Sequence, residues 1–415
     1  MYKKPSDSDL QRLIVPLCEW YDTHRRDLPW RRDRDAYHIW VSEIMLQQTR
    51  VEAVRPYYER FMAALPDIKT LAECPEDELL KLWEGLGYYS RVRNLQKAAR
   101  QLAGSDLPEP DRLRHLPSDS KSLPDPSSDS KSLPGTSSDG GSLPQLPPDR
   151  EKLLCLPGIG EYTAGAIASI AFGQAVPAVD GNVLRILARL YADERDVRKP
   201  AVKKEYTREL EAAMLSFFSG EQPITPGTFN QALMDLGALI CLPNARPRCE
   251  ECPLADCCRA HRDNSEMRYP VRGARKERKI ENRTVLLIRD GKHVVLRKRP
   301  AKGLLAGLYE FPNVEGAADR EQALAAVKEA GFVPLQIRPL EPAKHVFTHV
   351  EWHMTAYEIR IAEPENMPEK EWFLAETGRI ERDFPVPSAF SAYAGYLQIR
   401  IGADGRTEQG SGRRN

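Results

Sequence analysis

The sequence predicts two folded regions of different class, an all-α region over residues 1–267 and an α+β region over 284–400. Three observations carry the prediction. Apolar residues recur at helical spacing as far as about Arg262. A polar ten-residue repeat interrupts them. At Thr284 the pattern changes to period two. A length of 415 residues fits two to three domains.

In chain order, Ala36 to Leu46 and Tyr57 to Leu65 read as helices, interrupted at Pro56 and Pro66. Ser-Asp-Ser-Lys-Ser-Leu-Pro then stands at 118–124 and again at 128–134, with a degenerate copy at 138–144. So polar a stretch cannot bury a core, and residues 117–148 are expected to form a disordered insertion. A docking role for a partner is the weaker alternative, because loops tolerate insertion cheaply. Helical patterning resumes at Asp149. Residues 268–283 carry seven Lys/Arg against two Glu and read as a basic linker, serving as a phosphate contact or a solvated hinge. Thr284 to Arg289, Asp290-Gly291 and Lys292 to Lys298 form a hairpin signal. Arg320 to Ala330, closed by Gly331, reads as a helix; Val346 to Ile361 alternates; residues 401–415 read as a flexible tail.

Composition narrows the function. The chain is 41% hydrophobic and 29% charged, with 60 basic and 60 acidic residues, which excludes a globally basic, histone-like binder but not a local basic face. No run of 18 apolar residues occurs, so no membrane span is expected, and the first residues lack a secretory core. Five of eight cysteines fall within 18 residues. In a reducing compartment such clustering points to metal or cluster ligation rather than disulfides.

Four motifs bear chemistry. Leu156-Pro157-Gly158-Ile159-Gly160 is a glycine turn opening into a small-residue helix, after apolar Leu153 and Leu154. Its glycines permit close backbone approach and its helix-start amides attract phosphate, as in a helix-hairpin-helix; an ordinary helix–helix turn is the alternative. Asp180, within Val179-Asp180-Gly181-Asn182, precedes a strongly periodic helix and is either an N-cap or a carboxylate facing DNA. Glu43 lies in the almost wholly apolar run Ile39 to Leu46. Burial would raise its pKa toward that of a general acid; a narrow solvent face or an Arg partner is the alternative. Cys241-x7-Cys249-x2-Cys252, followed by Cys257-Cys258, can hold one 4Fe–4S cluster or one zinc. The absence of histidine and the uneven spacing do not fit a zinc ribbon.

Together these runs, with Leu28-Pro29-Trp30-Arg31, Met45-Leu46-Gln47-Gln48-Thr49 and Gly85 to Arg91, resemble the adenine DNA glycosylases of the helix-hairpin-helix superfamily over nearly the whole chain. The resemblance implies a monofunctional glycosylase that flips adenine mispaired with 8-oxoguanine or guanine out of duplex DNA and hydrolyses its glycosidic bond. By that resemblance Glu43 protonates the base and Asp180 stabilises the sugar cation, by charge or by transient attachment. Tyr162 and Asn182 support them. Arg31, Gln48, Tyr88, Gly158 and Gly160 contact DNA, and Cys241, Cys249, Cys252 and Cys258 hold a 4Fe–4S cluster. The first cysteine gap is seven residues where six is expected, and spacing favours Cys258 over Cys257. Relatives with a lyase step carry a Schiff-base lysine where Tyr162 stands, so no efficient strand cleavage is expected.

Gly303 to Pro312 resembles a Nudix-like domain, and Phe347-Thr348-His349 its 8-oxoguanine-reading loop, with Thr348 where Ser is usual. Clustered Nudix acids are lacking over 320–331, so magnesium-dependent pyrophosphate hydrolysis is not expected. A monomer in the bacterial cytoplasm, used at the nucleoid, is the accompanying expectation. The rival readings are an endonuclease III-like glycosylase for another damaged or mismatched base, and a non-catalytic iron–sulfur DNA-binding protein.

Overall fold

The computed structural model describes residues 7–104, 144–273, 277–363 and 372–401. Residues 117–143 of the expected insertion, 274–276 of the linker and 402–415 of the tail lie outside the described residues. The helices are α1 (Asp7–His24), α2 (Ala36–Leu46), α3 (Val51–Ala64), α4 (Ile68–Glu73), α5 (Glu76–Leu82), α6 (Ser90–Ala103), α7 (Arg150–Leu154), α8 (Glu161–Ile170), α9 (Gly181–Tyr191), α10 (Pro200–Phe217), α11 (Pro226–Leu239) and α12 (Arg259–Arg262). Then come strands β1 (Lys279–Arg289), β2 (His293–Lys298), β3 (Tyr309–Glu310) and β4 (Asn313–Glu315), helix α13 (Arg320–Glu329), strands β5 (Pro334–Val346), β6 (Val350–Ile361) and β7 (Trp372–Glu376), and helices α14 (Thr377–Asp383) and α15 (Ser391–Ala394).

The chain divides into two compact units. The first comprises residues 1–43, 65–73 and 94–271; the second comprises 44–64, 74–93 and 272–415. The division differs from a boundary at the linker: two segments of the expected all-α region belong with the sheet.

In the first unit the core is a bundle of α1, α9, α10 and α11. Helix α9 contributes Val183, Ile186, Leu187 and Leu190 at spacings of three and four, all buried against Ile14 and Leu17 of α1 and Phe229, Leu233 and Leu236 of α11. Each such side chain contributes roughly 1.5–3 kcal/mol by leaving water. Asp180 caps α9, accepting from the backbone N–H of Asn182 (2.8 Å) and Val183 (2.9 Å). Glycine at 237 on α11 is what lets α9 begin there, since a Cβ would lie 2.6 Å from that of Asn182.

The second unit holds a seven-stranded sheet of order β3-β2-β1-β6-β5, with β4 beside β1 and β7 beside β2. Only β1–β6 is a parallel pairing among those described. The hairpin read from Asp290-Gly291 is present, its turn closed by Asp290 accepting from the N–H groups of Lys292 and His293. Helix α13 starts at Arg320 as expected and ends at Glu329, with Ala330 as its C-cap and a reciprocal Asp319–Gln322 cap at its start.

Two expectations need correction. Pro56 does not interrupt a helix; it is the sixth residue of α3, which runs through it. Val346 to Ile361 is not one alternating strand: β5 ends at Val346, residues 347–349 turn, and β6 begins at Val350. Edge strand β5 is largely exposed on both faces and so lacks the apolar alternation that announces a strand.

Candidate active site and cysteine cavity

Glu43 sits on α2 with 5% of its surface exposed. Burial pushes its pKa up to about 7, opposed by a hydrogen bond from Tyr162 and the charge of Arg31 and reinforced by the charge of Asp180. Its Oε2 has no hydrogen-bond partner among the described residues, leaving one carboxyl oxygen available to a ligand. The Tyr162 hydroxyl also points at Met234 Sδ, 3.7 Å away. Burial likewise raises the pKa of Asp180, while the Val183 and Asn182 amides, the Asn182 side chain and Arg185 hold its charged form. Asn182 donates from Nδ2 to Asp180 Oδ2 at 2.7 Å and accepts from Arg185 at 2.9 Å. The N-cap reading of Asp180 holds in geometry, and the same carboxylate is electrostatically coupled to Glu43 and Tyr162.

Tyr162 belongs to the first turn of α8, directly after the glycine turn. Gly158 adopts φ +82°, and a Cβ there would meet Asn94 Cβ at 2.8 Å. Gly160 is the N-cap of α8, and no side chain caps the amides behind it. N–H groups at a helix start attract anions.

Arg31 is placed differently from its expectation as a DNA contact. Its guanidinium is 13% exposed and is committed to the fully buried carboxylate of Asp235, at 2.7 and 3.0 Å. Arg26 joins the same carboxylate. The pair holds Asp235 below the usual carboxylate range despite its burial.

Cys241, Cys249, Cys252 and Cys258 line one cavity with Ile186, Leu190 and Leu236. The seven-residue gap closes because the Arg248 N–H returns to Ile240 O at 3.0 Å. Cys257 is exposed and its thiol turns to Leu254 O, so geometry and spacing agree on Cys258. Burial, with Glu266 and the neighbouring thiols adding to it, pushes Cys249 up to about 12. Burial and the other three thiols push Cys252 to about 12. A site built this way holds four thiolates only if a cation supplies the compensating charge. His261 and Glu266 stand beside Cys249, and the three donor atoms lie within 4.8 Å of one another.

In the second unit, Gln48 (φ 59°) and Tyr88 (φ 47°) are non-glycine residues in the left-handed region. Both are exposed at loop tips. The Tyr88 hydroxyl is 3.0 Å from Thr348 Oγ1. Thr348 and His349 are exposed at the β5–β6 turn, while Phe347 is wedged between His345 and Trp352, with ring centroids 4.6 and 4.9 Å away.

Comparison with known proteins agrees with this layout. Residues 41–212 match the HhH-GPD superfamily of base excision DNA repair proteins, and residues 284–394 match the NUDIX domain. An adenine DNA glycosylase from Buchnera aphidicola is 30% identical over 83% of this chain and 85% of its own length. The chain belongs to the adenine DNA glycosylase family. An Arabidopsis thaliana adenine DNA glycosylase is 32% identical over 83% of this chain, which spans 56% of that relative's length. A solved thermostable thymine-DNA glycosylase is 23% identical, covers 62% of this chain and 98% of its own, and superimposes with a TM-score of 0.46. That likeness adds nothing to the family assignment.

For this adenine DNA glycosylase family member, sequence reasoning missed Asp235, Arg185, His261 and Arg91. Asp235 was detectable, being the lone acid in the apolar stretch Phe229 to Leu239, the same signal that marked Glu43. Arg91 ends the run Gly85 to Arg91, but nothing local revealed its role, since its acceptors are backbone carbonyls of that run and of the end of α2, with the Thr49 hydroxyl.

Proposed function

We propose that this chain hydrolyses the N-glycosidic bond of adenine mispaired with 8-oxoguanine or guanine in duplex DNA, as a monofunctional base-excision glycosylase. The observation that carries the reading is one buried site holding Glu43, Tyr162 and Asp180, with the first acid near half-protonated at neutral pH. The glycosidic bond is out of reach inside the base stack, so the adenine is extruded first. Glu43 then donates its proton to the imidazole ring of adenine. The C1′–N9 bond breaks, its electron pair leaves with the base, and a sugar cation remains. Asp180, ionised and held by Asn182, stabilises that cation until water adds at C1′ and gives its proton to the Glu43 carboxylate, which restores the acid. Tyr162 orients the Glu43 carboxyl and supplies no amine, so no Schiff base forms and the strand stays intact.

The amides at the start of α8 and the backbone at Gly158 and Gly160 grip phosphates. Gln48 and Tyr88 enter the duplex where the adenine leaves, and Phe347, Thr348 and His349 read the opposite base. Cys241, Cys249, Cys252 and Cys258 would hold a 4Fe–4S cluster; the all-thiol donor set in an apolar cavity fits that group. Bound there, the group would tie the two ends of the 241–258 segment together through its four thiolates.

The test is a glycosylase assay on four duplexes carrying adenine opposite guanine, 8-oxoguanine, cytosine or thymine, with and without alkali. Adenine release opposite 8-oxoguanine and guanine, with strand breaks only after alkali, is expected. Release from none of the four by the parent protein sinks the reading.

A further inference from the structure

Two exposed loop tips in the second unit, at Gln48 and Tyr88, are held by one side chain. Arg91, the second residue of α6, is 9% exposed. Its Nη1 donates to Ile44 O (2.9 Å), Met45 O (2.8 Å) and Gln47 O (2.7 Å). Its Nη2 donates to Leu86 O (2.9 Å), Gly87 O (3.1 Å) and Thr49 Oγ1 (3.3 Å). One terminal nitrogen thus satisfies the open carbonyls at the end of α2, and the other satisfies the turn after α5. The guanidinium also lies over the rings of Trp83 (5.3 Å) and Tyr88 (5.6 Å).

The residues it grips flank the two left-handed positions. Gln47 precedes Gln48 and Gly87 precedes Tyr88, and both carbonyls are Arg91 acceptors. A non-glycine residue keeps a positive φ only when its surroundings over-determine the backbone. We propose that Arg91 is a positioning residue for duplex opening: its guanidinium fixes the Gln48 and Tyr88 tips in one rigid pair, so that both enter the duplex together. This rests on the reading that the chain opens duplex DNA to extract adenine. The planar fork matters more than the charge. Lysine carries the charge but cannot span acceptors on two loops.

The experiment uses full-length protein and the Arg91→Lys variant, checked for unchanged circular dichroism. Single-turnover adenine excision is measured from an 8-oxoguanine–adenine duplex and from a duplex carrying adenine as a one-base bulge. The variant should lose about tenfold or more on the paired substrate and less than about threefold on the bulge, which is already unpaired. On a Gln48→Ala, Tyr88→Ala background Arg91→Lys should cost less than about twofold more, because it acts only through those tips.

Equal loss on both substrates, or a loss that multiplies with the tip substitutions, overturns the proposal and makes Arg91 a general scaffold residue. A 2-aminopurine reporter beside the mispair judges it independently. Its fluorescence should rise when parent protein binds and stay low when Arg91→Lys binds at matched occupancy; the same rise with both overturns the proposal. A parent that gives the fluorescence rise but releases no adenine condemns the glycosylase reading and leaves Arg91 positioning supported.

Discussion

Glu43 should make activity and stability oppose each other, and Glu43→Gln exposes both. With a pKa of about 7, the protonated fraction falls from roughly 0.9 at pH 6 to roughly 0.1 at pH 8, so parental single-turnover excision should drop about tenfold across that range. Glutamine has no proton to give and should cost about 10²–10⁴-fold at every pH. The substitution acts on stability in the opposite sense. The folded state holds this proton more tightly than the unfolded chain, so the associated stability is fully present below pH 4.5 and is lost as pH rises toward 7. A shift from 4.5 to about 7, at about 1.4 kcal/mol per pH unit, amounts to about 3 kcal/mol for this fully buried group. Glutamine stays neutral, so Glu43→Gln should be about 3 kcal/mol more stable than the parent at pH 8, with the gap closing near pH 4.5. Urea unfolding at pH 5 and pH 8, alongside the rate profile, reads both effects. A stability gap independent of pH, or a Gln variant that excises as fast as the parent, refutes the reasoning.

Asp180→Asn should separate the cap from the chemistry, because Asn caps helices as well as Asp does. Folding stability should change by less than about 1 kcal/mol while excision falls about 10²-fold or more, measured by urea unfolding and single-turnover assay. Arg31→Met leaves Asp235 with Arg26 alone and should cost about 3 kcal/mol by thermal unfolding. Because Arg31 favours ionised Glu43, the same variant should move the falling limb of the pH–rate profile to higher pH; an unmoved limb would remove Arg31 from the site's electrostatics. Cys252→Ser should lower iron per chain while Cys257→Ser leaves it at the parental value, and equal losses would contradict the cavity geometry. Incubation with 8-oxoguanine–adenine duplex should leave no strand break before alkali; a break without alkali would mean an amine other than one at position 162 acts as a lyase.

Local features of the fold and site were legible because local physics sets them. A carboxyl in the apolar run Ile39 to Leu46 stood out as either buried or on a narrow solvent face, and the docked helix decided for burial. Asp180 before Val183, Leu184, Ile186 and Leu187 had to cap a helix. The Asp290-Gly291 hairpin and the Arg320 helix followed from turn and cap chemistry within four residues. Features without that local signal were missed or misjudged. The exposed strand β5 has no alternation to read, α3 runs through Pro56 against the local preference, and residues 347–349 interrupt an apparently continuous pattern.

Periodicity and capping, acting within one or two turns of chain, therefore decided which groups would be buried and where helices begin. Only the closed chain decided their partners. Arg31 meets Asp235 across 204 positions, and Glu43 gains its shifted proton affinity from desolvation beside Tyr162 and Asp180. Arg91 joins the turn just before its own helix to the end of α2, 44 positions away at Gln47. Desolvation and charge coupling depend on distance in space, which a residue's sequence neighbours do not contain.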